Sequence, residues 1–200
     1  ITIHVGRCTA TEMAKLLHGA SICVDATHPY ATEATRTICE ACETTGVEYH
    51  RLLRTESELP KNSIVFETAA EAAEYLENTA GNILLTTGAK ELPAFKNLNI
   101  KRLFPRVLPT LDGIRACEAL DIPHRNIIAM QGPFSLDLNR AILEQFNIQW
   151  LVTKDGGAVG GFMEKAKACE YCGARLIVLR RPRENGETVE SILERCRELL

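Results

Sequence analysis

Short apolar, β-branched runs alternate with amphipathic stretches along almost the whole chain. The runs at 1–5 (ITIHV), 21–26 (SICVDA), 47–53 (VEYHRLL), 64–67 (IVFE), 82–88 (NILLTTG), 100–105 (IKRLFP), 125–131 (RNIIAMQ), 148–154 (IQWLVTK) and 174–182 (ARLIVLRRP) predict strands. Between them, apolar positions recur at helical spacing. They predict helices over 9–19, 30–46, 68–81, 110–121, 135–147, 160–173 and 188–200. Gly19 and Gly46 stop the first two helices, and Thr68 with Glu71 has the spacing of a capping box.

This alternation is the signature of parallel sheets with helices on both faces. The strand cores are unbroken rather than alternating, as in strands buried on both sides. The polar stretch 54–63 (RTESELPKNS) divides the chain. The expected architecture is α/β, with two doubly wound parallel-sheet units over 1–58 and 59–200. The first is short and lacks an N-terminal β-α unit.

Ligands of open α/β sheets bind beyond the carboxyl ends of the strands, and those ends are polar here. In "VDATHPYA", Pro29 suits the first turn of a helix, with Thr27 or His28 at the cap. The free amides of such a helix start favour an anion. His28 exchanges a proton near neutral pH; a capping Thr27 beside a solvated His28 fits the same residues. In "LLTTGAKEL", Thr87, Gly88 and Lys90 resemble a phosphate or carboxylate cradle, without the spacing of a P-loop. In "VTKDGGAVGG", Lys154 and Asp155 precede Gly156, Gly157, Gly160 and Gly161, which let backbone amides approach an anion or simply form a flexible turn. In "MQGPFS", Gln131 is expected to face the cleft and Ser135 to cap a helix, with Phe134 either core or a wall against a flat ligand. Arg7, Lys90, Arg106 and Lys154 add cations suited to a polyanion. These ends are expected to line one cleft.

With 200 residues, 46% of them hydrophobic, the chain can bury one large core or two small ones. A net charge of −3 provides no general field for nucleic acid or membrane. No run is long enough to span a bilayer and no signal-peptide pattern occurs, so a cytoplasmic protein is expected. Of the eight cysteines, Cys39 with Cys42 and Cys169 with Cys172 have C-x-x-C spacing. The pairs lie far apart in sequence and inside helical patterns, so reduced, buried thiols are expected rather than a metal site. No Ser-His-Asp order or nucleophile elbow is present.

Taken together, "VDATHPYA", "LLTTGAKEL", "RVLP", "IIAMQGPFS", "LVTKDGGAVGG" with Glu164 and Lys165, and "VLRRP" resemble the precorrin-6A and cobalt-precorrin-6A reductases of cobalamin biosynthesis. The resemblance spans essentially the whole chain. It implies two Rossmann-like units with the active site between them, and reduction of one C=C bond in a corrin-precursor macrocycle rich in carboxylates. It implies NADPH, with NADH possible, as the cofactor. Carried onto this chain, it puts Arg7, Thr27, His28 and Pro29 with the cofactor and His28 and Tyr30 near the reacting atoms. Thr87, Gly88, Lys90, Arg106, Gln131, Ser135, Lys154, Asp155, Gly157, Gly160 and Gly161 fall on the substrate side. No protein nucleophile is then needed, because the nicotinamide supplies the hydride.

Family members carry a strand and a G-G-T-x-E turn upstream of the equivalent of "VGR", and usually Ser where Gly156 stands here. The sequence begins at Ile1, so either a fragment or a loss of ordinary cofactor binding is expected. The short first unit points to a fragment. The competing reading is a non-catalytic α/β module that binds tetrapyrrole-like or nucleotide anions.

Overall fold

In the computed structural model, which describes residues 2–53, 58–156, 160–181 and 185–199, every apolar run except the first becomes a parallel strand. The chain separates into two compact units, Ile1–Thr55 with Pro182–Leu200, and Glu56–Arg181.

In the first unit, α1 (Ala10–Leu17) opens on a capping box: the Glu12 amide donates to Thr9 Oγ1, and the Thr9 amide donates to Glu12 Oε2 at 2.8 Å. Strands β1 (Ile22–Asp25) and β2 (Glu48–Arg51) flank α2 (Thr32–Thr45) and pair from Ile22 with Glu48 to Asp25 with Arg51. Leu17, Ile38, Ala41, Cys42 and Val47 form the core. Two expectations change here. Residues 2–5 form no strand and lie exposed, because β1 pairs only with β2 among the described residues and an isolated run has no ladder to join. Helix α2 begins at Thr32 rather than at Pro29, and its cap Ala31 makes no side-chain bond. The preceding residues are instead held in a turn by the Ala31 amide donating to the His28 carbonyl at 2.7 Å.

The second unit contains β3 (Ile64–Phe66), α3 (Ala69–Glu77), β4 (Asn82–Leu85), β5 (Leu103–Val107), α4 (Leu111–Glu118), β6 (Ile128–Ala129), α5 (Leu136–Gln145), β7 (Ile148–Lys154), α6 (Phe162–Cys172) and β8 (Arg175–Leu179). Its six strands are ordered β3-β8-β7-β4-β5-β6. Alternate side chains feed two cores. Ile83 and Leu85, Trp150 and Val152, and Ile177 and Leu179 pack with α3, α4 and the 3₁₀ turn Ala89–Phe95. Leu84, Leu151, Leu176 and Val178 pack on the other face with α5 and α6. Each fully buried Leu or Ile contributes roughly 1.5–3 kcal/mol. The sequence marks Thr68 and Glu71 as a capping box; Thr68 does cap α3, but the Glu71 carboxylate takes the Glu67 amide instead.

The connection from β4 to β5 crosses one face of this sheet and that from β7 to β8 crosses the other. The strand order therefore reverses between β4 and β7, and a crevice opens at their carboxyl ends.

The closing helix α7 (Val189–Glu198), expected with the second unit, groups with the first. Glu187 forms a parallel bridge with Leu52; its amide donates to the Arg51 carbonyl at 2.8 Å and its carbonyl accepts from Leu53 at 2.9 Å. A Cβ on Gly186 would sit 2.5 Å from the Arg51 carbonyl oxygen, so only glycine lets the backbones approach this closely. Arg195 grips Glu48 with two bonds of 2.8 and 2.7 Å.

Candidate ligand-binding site

In the second unit the crevice between β4 and β7 is framed by polar groups. Thr86 is tied to the Val152 carbonyl through its amide and its hydroxyl, both at 2.9 Å. The next residue, Thr87, is buried, and its hydroxyl has no hydrogen-bond partner among the described residues. Such a group costs free energy until something bonds to it. Gly88 follows at φ 88°, and Lys90 is exposed. Lys154, at the end of β7, reaches across to Glu91 at 2.7 Å and so links the two sides of the crevice.

Arg106, near the end of β5, is buried. It lies 4.0 Å over the Phe134 ring and donates to Asn139 Oδ1 at 2.9 Å. Burial pulls its pKa down to about 10. Phe134 is thus a floor under a guanidinium, neither pure core nor an open wall. Asp155 is buried beside Arg181, with 3.7 Å between Oδ2 and the guanidinium. Gly161 takes the left-handed conformation that starts α6. Gln131 and Ser135 are exposed, and Ser135 caps α5 by accepting from the Leu138 amide at 3.2 Å. Gly160 is exposed, and Gly157 lies outside the described residues.

Lys165 was not among the residues the strand-end pattern singled out. It is buried in α6, and burial together with the charge of Arg106 pulls its pKa down to about 8, against Glu164 and Asp155. The signal was present in the sequence. Lys165 shares a helix face with Phe162, Ala166 and Cys169, so a cation interrupts an apolar stripe. Glu91 and Asn139 were also missed, since their roles depend on partners distant in sequence; Arg181 lies in the "VLRRP" strand end.

In the first unit the polar end of β1 is largely self-satisfied. Asp25 accepts from the Thr27 amide at 2.9 Å, from Tyr49 at 3.0 Å and from Arg51 at 2.8 Å. Burial works against the charge, yet these bonds and the Arg51 cation hold the carboxyl below its ordinary value. Thr27 Oγ1 accepts from Arg51 at 2.9 Å and lies 3.2 Å from Thr35 Oγ1. Pro29 is buried. His28 is exposed, accepts from the Tyr30 amide through Nδ1 at 3.3 Å, and lies with its ring centroid 5.5 Å from that of Tyr30. Arg7 is exposed. The His28 and Tyr30 rings are tilted by 31° to each other. The turn from Asp25 to Ala31 contains no glycine to cradle a pyrophosphate.

A groove of about 1070 Å³ runs beside α6 between residues 58–63 and 173–176, and the strand-end residues above do not line it. Among the described residues, no three His, Cys, Asp or Glu side chains come together as a metal site. Burial pushes the Cys169 thiol up to about 12, which keeps it protonated and unreactive. No helix among the described residues is long and apolar enough to cross a membrane.

The chain is 36% identical over 201 residues to a cobalt-precorrin-6A reductase of Priestia megaterium, covering 97% of this chain and 79% of that protein. It is 36% identical over 176 residues to that of Methanothermobacter thermautotrophicus, covering 85% of this chain and 58% of the relative. It is 37% identical over 163 residues to that of Salmonella typhimurium, covering 80% and 62%. The chain thus spans less than two thirds of the length of the latter two relatives. A solved structure of CobK precorrin-6A reductase superposes with a TM-score of 0.74 at 21% identity, over 96% of this chain and 80% of that one, and shares the fold. The family model for precorrin-6x reductase CbiJ/CobK matches residues 1–197, and the chain belongs to that family.

Proposed function

We propose that this chain carries out, or forms the larger part of a protein that carries out, the reduction of one C=C bond of precorrin-6A or cobalt-precorrin-6A in cobalamin biosynthesis. The observation that carries this reading is the 36% identity over 97% of the chain to a protein of that name. The buried cations at the strand ends of the second unit support it, because the macrocycle is a polycarboxylate.

In this reading NADPH, with NADH possible, supplies a hydride to one carbon, and the other carbon receives a proton. The first unit takes the cofactor, with Arg7, Thr27 and Pro29 shaping its side and the rings of His28 and Tyr30 meeting the nicotinamide. The second unit takes the macrocycle through Thr87, Gly88, Lys90, Arg106, Gln131, Ser135, Lys154, Asp155 and the glycines 157, 160 and 161. Protein groups bind, orient and exclude water, and none acts as a nucleophile. The cytoplasm, where NADPH and the macrocycle meet, is the proposed location.

The test supplies the full-length protein with each macrocycle and with NADPH or NADH. Nicotinamide oxidation and a gain of two hydrogens in product mass are followed. Macrocycle bound tightly but left unreduced under every combination would instead favour the non-catalytic binding module.

A further inference from the structure

Lys165 and Arg106 are each only 7% exposed. Arg106 uses one nitrogen on Asn139 and its face on Phe134. Among the described residues the Lys165 ammonium has no hydrogen-bond or ion-pair partner. The charged and titratable groups that act on it are Arg106 from β5, Asp155 after β7, and Glu164 and Cys169 of its own helix. Asp155 also faces the Arg181 guanidinium at 3.7 Å. Buried positive charge therefore exceeds buried negative charge at this end of the sheet. Like charges held together on largely buried side chains are costly, and such an arrangement is retained where an anion arrives from outside.

We propose that Lys165 and Arg106 form a carboxylate-binding site, in which one acidic arm of the ligand is held between ammonium and guanidinium. The site rests on the macrocycle reading above and makes it more specific: it names the anchor for one arm. Arg106 stays charged and sets the direction of the arm. Lys165 responds to it, because its pKa of about 8 before binding rises once a carboxylate sits beside it. Proton uptake then accompanies binding above about pH 8, and affinity falls as pH rises through that range. The contact is made equally in ground and transition states, so its loss acts on KM more than on kcat.

The test uses the full-length protein and a porphyrin octacarboxylate as probe, with binding read by fluorescence quenching from about pH 6 to pH 10. Native protein is expected to bind evenly up to about pH 8 and then progressively more weakly. Lys165→Met is expected to bind about 10- to 150-fold more weakly at neutral pH, with no break near pH 8. Lys165→Arg is expected to bind tightly with no break near pH 8, since arginine stays charged through that region. Removing a buried charge does not threaten folding, and Lys165→Met is checked by circular dichroism. Native-like affinity in Lys165→Met, or native affinity independent of pH, overturns the anchor. If native protein still reduces the macrocycle in that case, the reductase reading stands. If it neither binds the porphyrin nor reduces the macrocycle, both fall.

Discussion

Asp25 and Arg51 occupy paired positions at the ends of the two parallel strands of the first unit, 2.8 Å apart, with 0% and 5% of their side chains exposed. Breaking a buried pair leaves one charge uncompensated. Arg51→Met is therefore expected to destabilise the first unit by about 3 kcal/mol or more, and Asp25→Asn with Arg51→Met by less than the sum of the single changes. Urea unfolding of the single and double variants checks this. Additive losses would mean that the pair is not coupled.

Lys165 has a second consequence, for stability. Its pKa of about 8 lies below the ordinary 10.5, so between these values the unfolded chain binds more protons than the folded one. Stability from this group therefore rises with pH across that window, and the burial cost is fully present below it. Lys165→Met is expected to stabilise the protein at pH 7 by on the order of 3 kcal/mol, an advantage that disappears above about pH 10. Thermal unfolding at both pH values measures it. A less stable variant at pH 7 would show that the ammonium is held by a strong partner.

His50 lies between Glu48 (2.8 Å) and Glu187 (2.6 Å), and so helps to attach the closing segment to β2. Burial lowers its pKa, but the two carboxylates outweigh this and raise it above the ordinary 6.5. Its contribution is complete below that value and lost as pH rises through the raised one. Bonds from Arg195 first, and then from His50, hold Glu48 down to about 2, and Glu187 is lowered as well, so their contributions are lost only as pH falls well below 4.5. Protection factors in α7, corrected for the intrinsic exchange rate, are expected to fall between pH 6.5 and alkaline pH. In His50→Gln this fall should be absent, with protection low at every pH. An unchanged profile in the variant would assign the attachment to Arg195 alone.

Gly186 faces the Arg51 carbonyl so closely that an added Cβ would lie 2.5 Å from its oxygen. The Arg51 backbone oxygen on one side and the Leu53 side chain, 2.9 Å away, leave little room to yield. Gly186→Ala is expected to cost about 1–3 kcal/mol and to expose the closing segment to protease, while Gly160→Ala, whose Cβ meets nothing within 4 Å, is close to neutral. Equal protease sensitivity of the two variants would contradict a close approach at Gly186.

The strand ends show how far local pattern reaches. "NILL", "IQWLV" and "RLIVL" are buried on both faces in the structure, as their unbroken apolar character requires. The alternation with helices is enough to imply parallel pairing. Thr87, Arg106, Lys154 and Asp155 were legible as strand-end residues because position along a strand decides which end of the sheet they occupy. The start of α2 was misjudged because the cap that Pro29 suggested competes with a turn stabilised by Asp25, whose bonds to Tyr49 and Arg51 come from another strand.

The sequence by itself determined the elements, their parallel sense and the polar character of the strand ends, since these follow from side-chain periodicity over a few residues. Only the tertiary structure decided that the closing segment joins the first unit, through the Gly186 approach and the Glu187 bridge to Leu52. It alone decided that Arg106 lies on Phe134, that Glu91 takes Lys154, and that Lys165 is buried without a partner among the described residues. The physical reason is the same in each case. A strand's partner and the cover over a charge are set by groups distant in the chain, and neither leaves a local period to read.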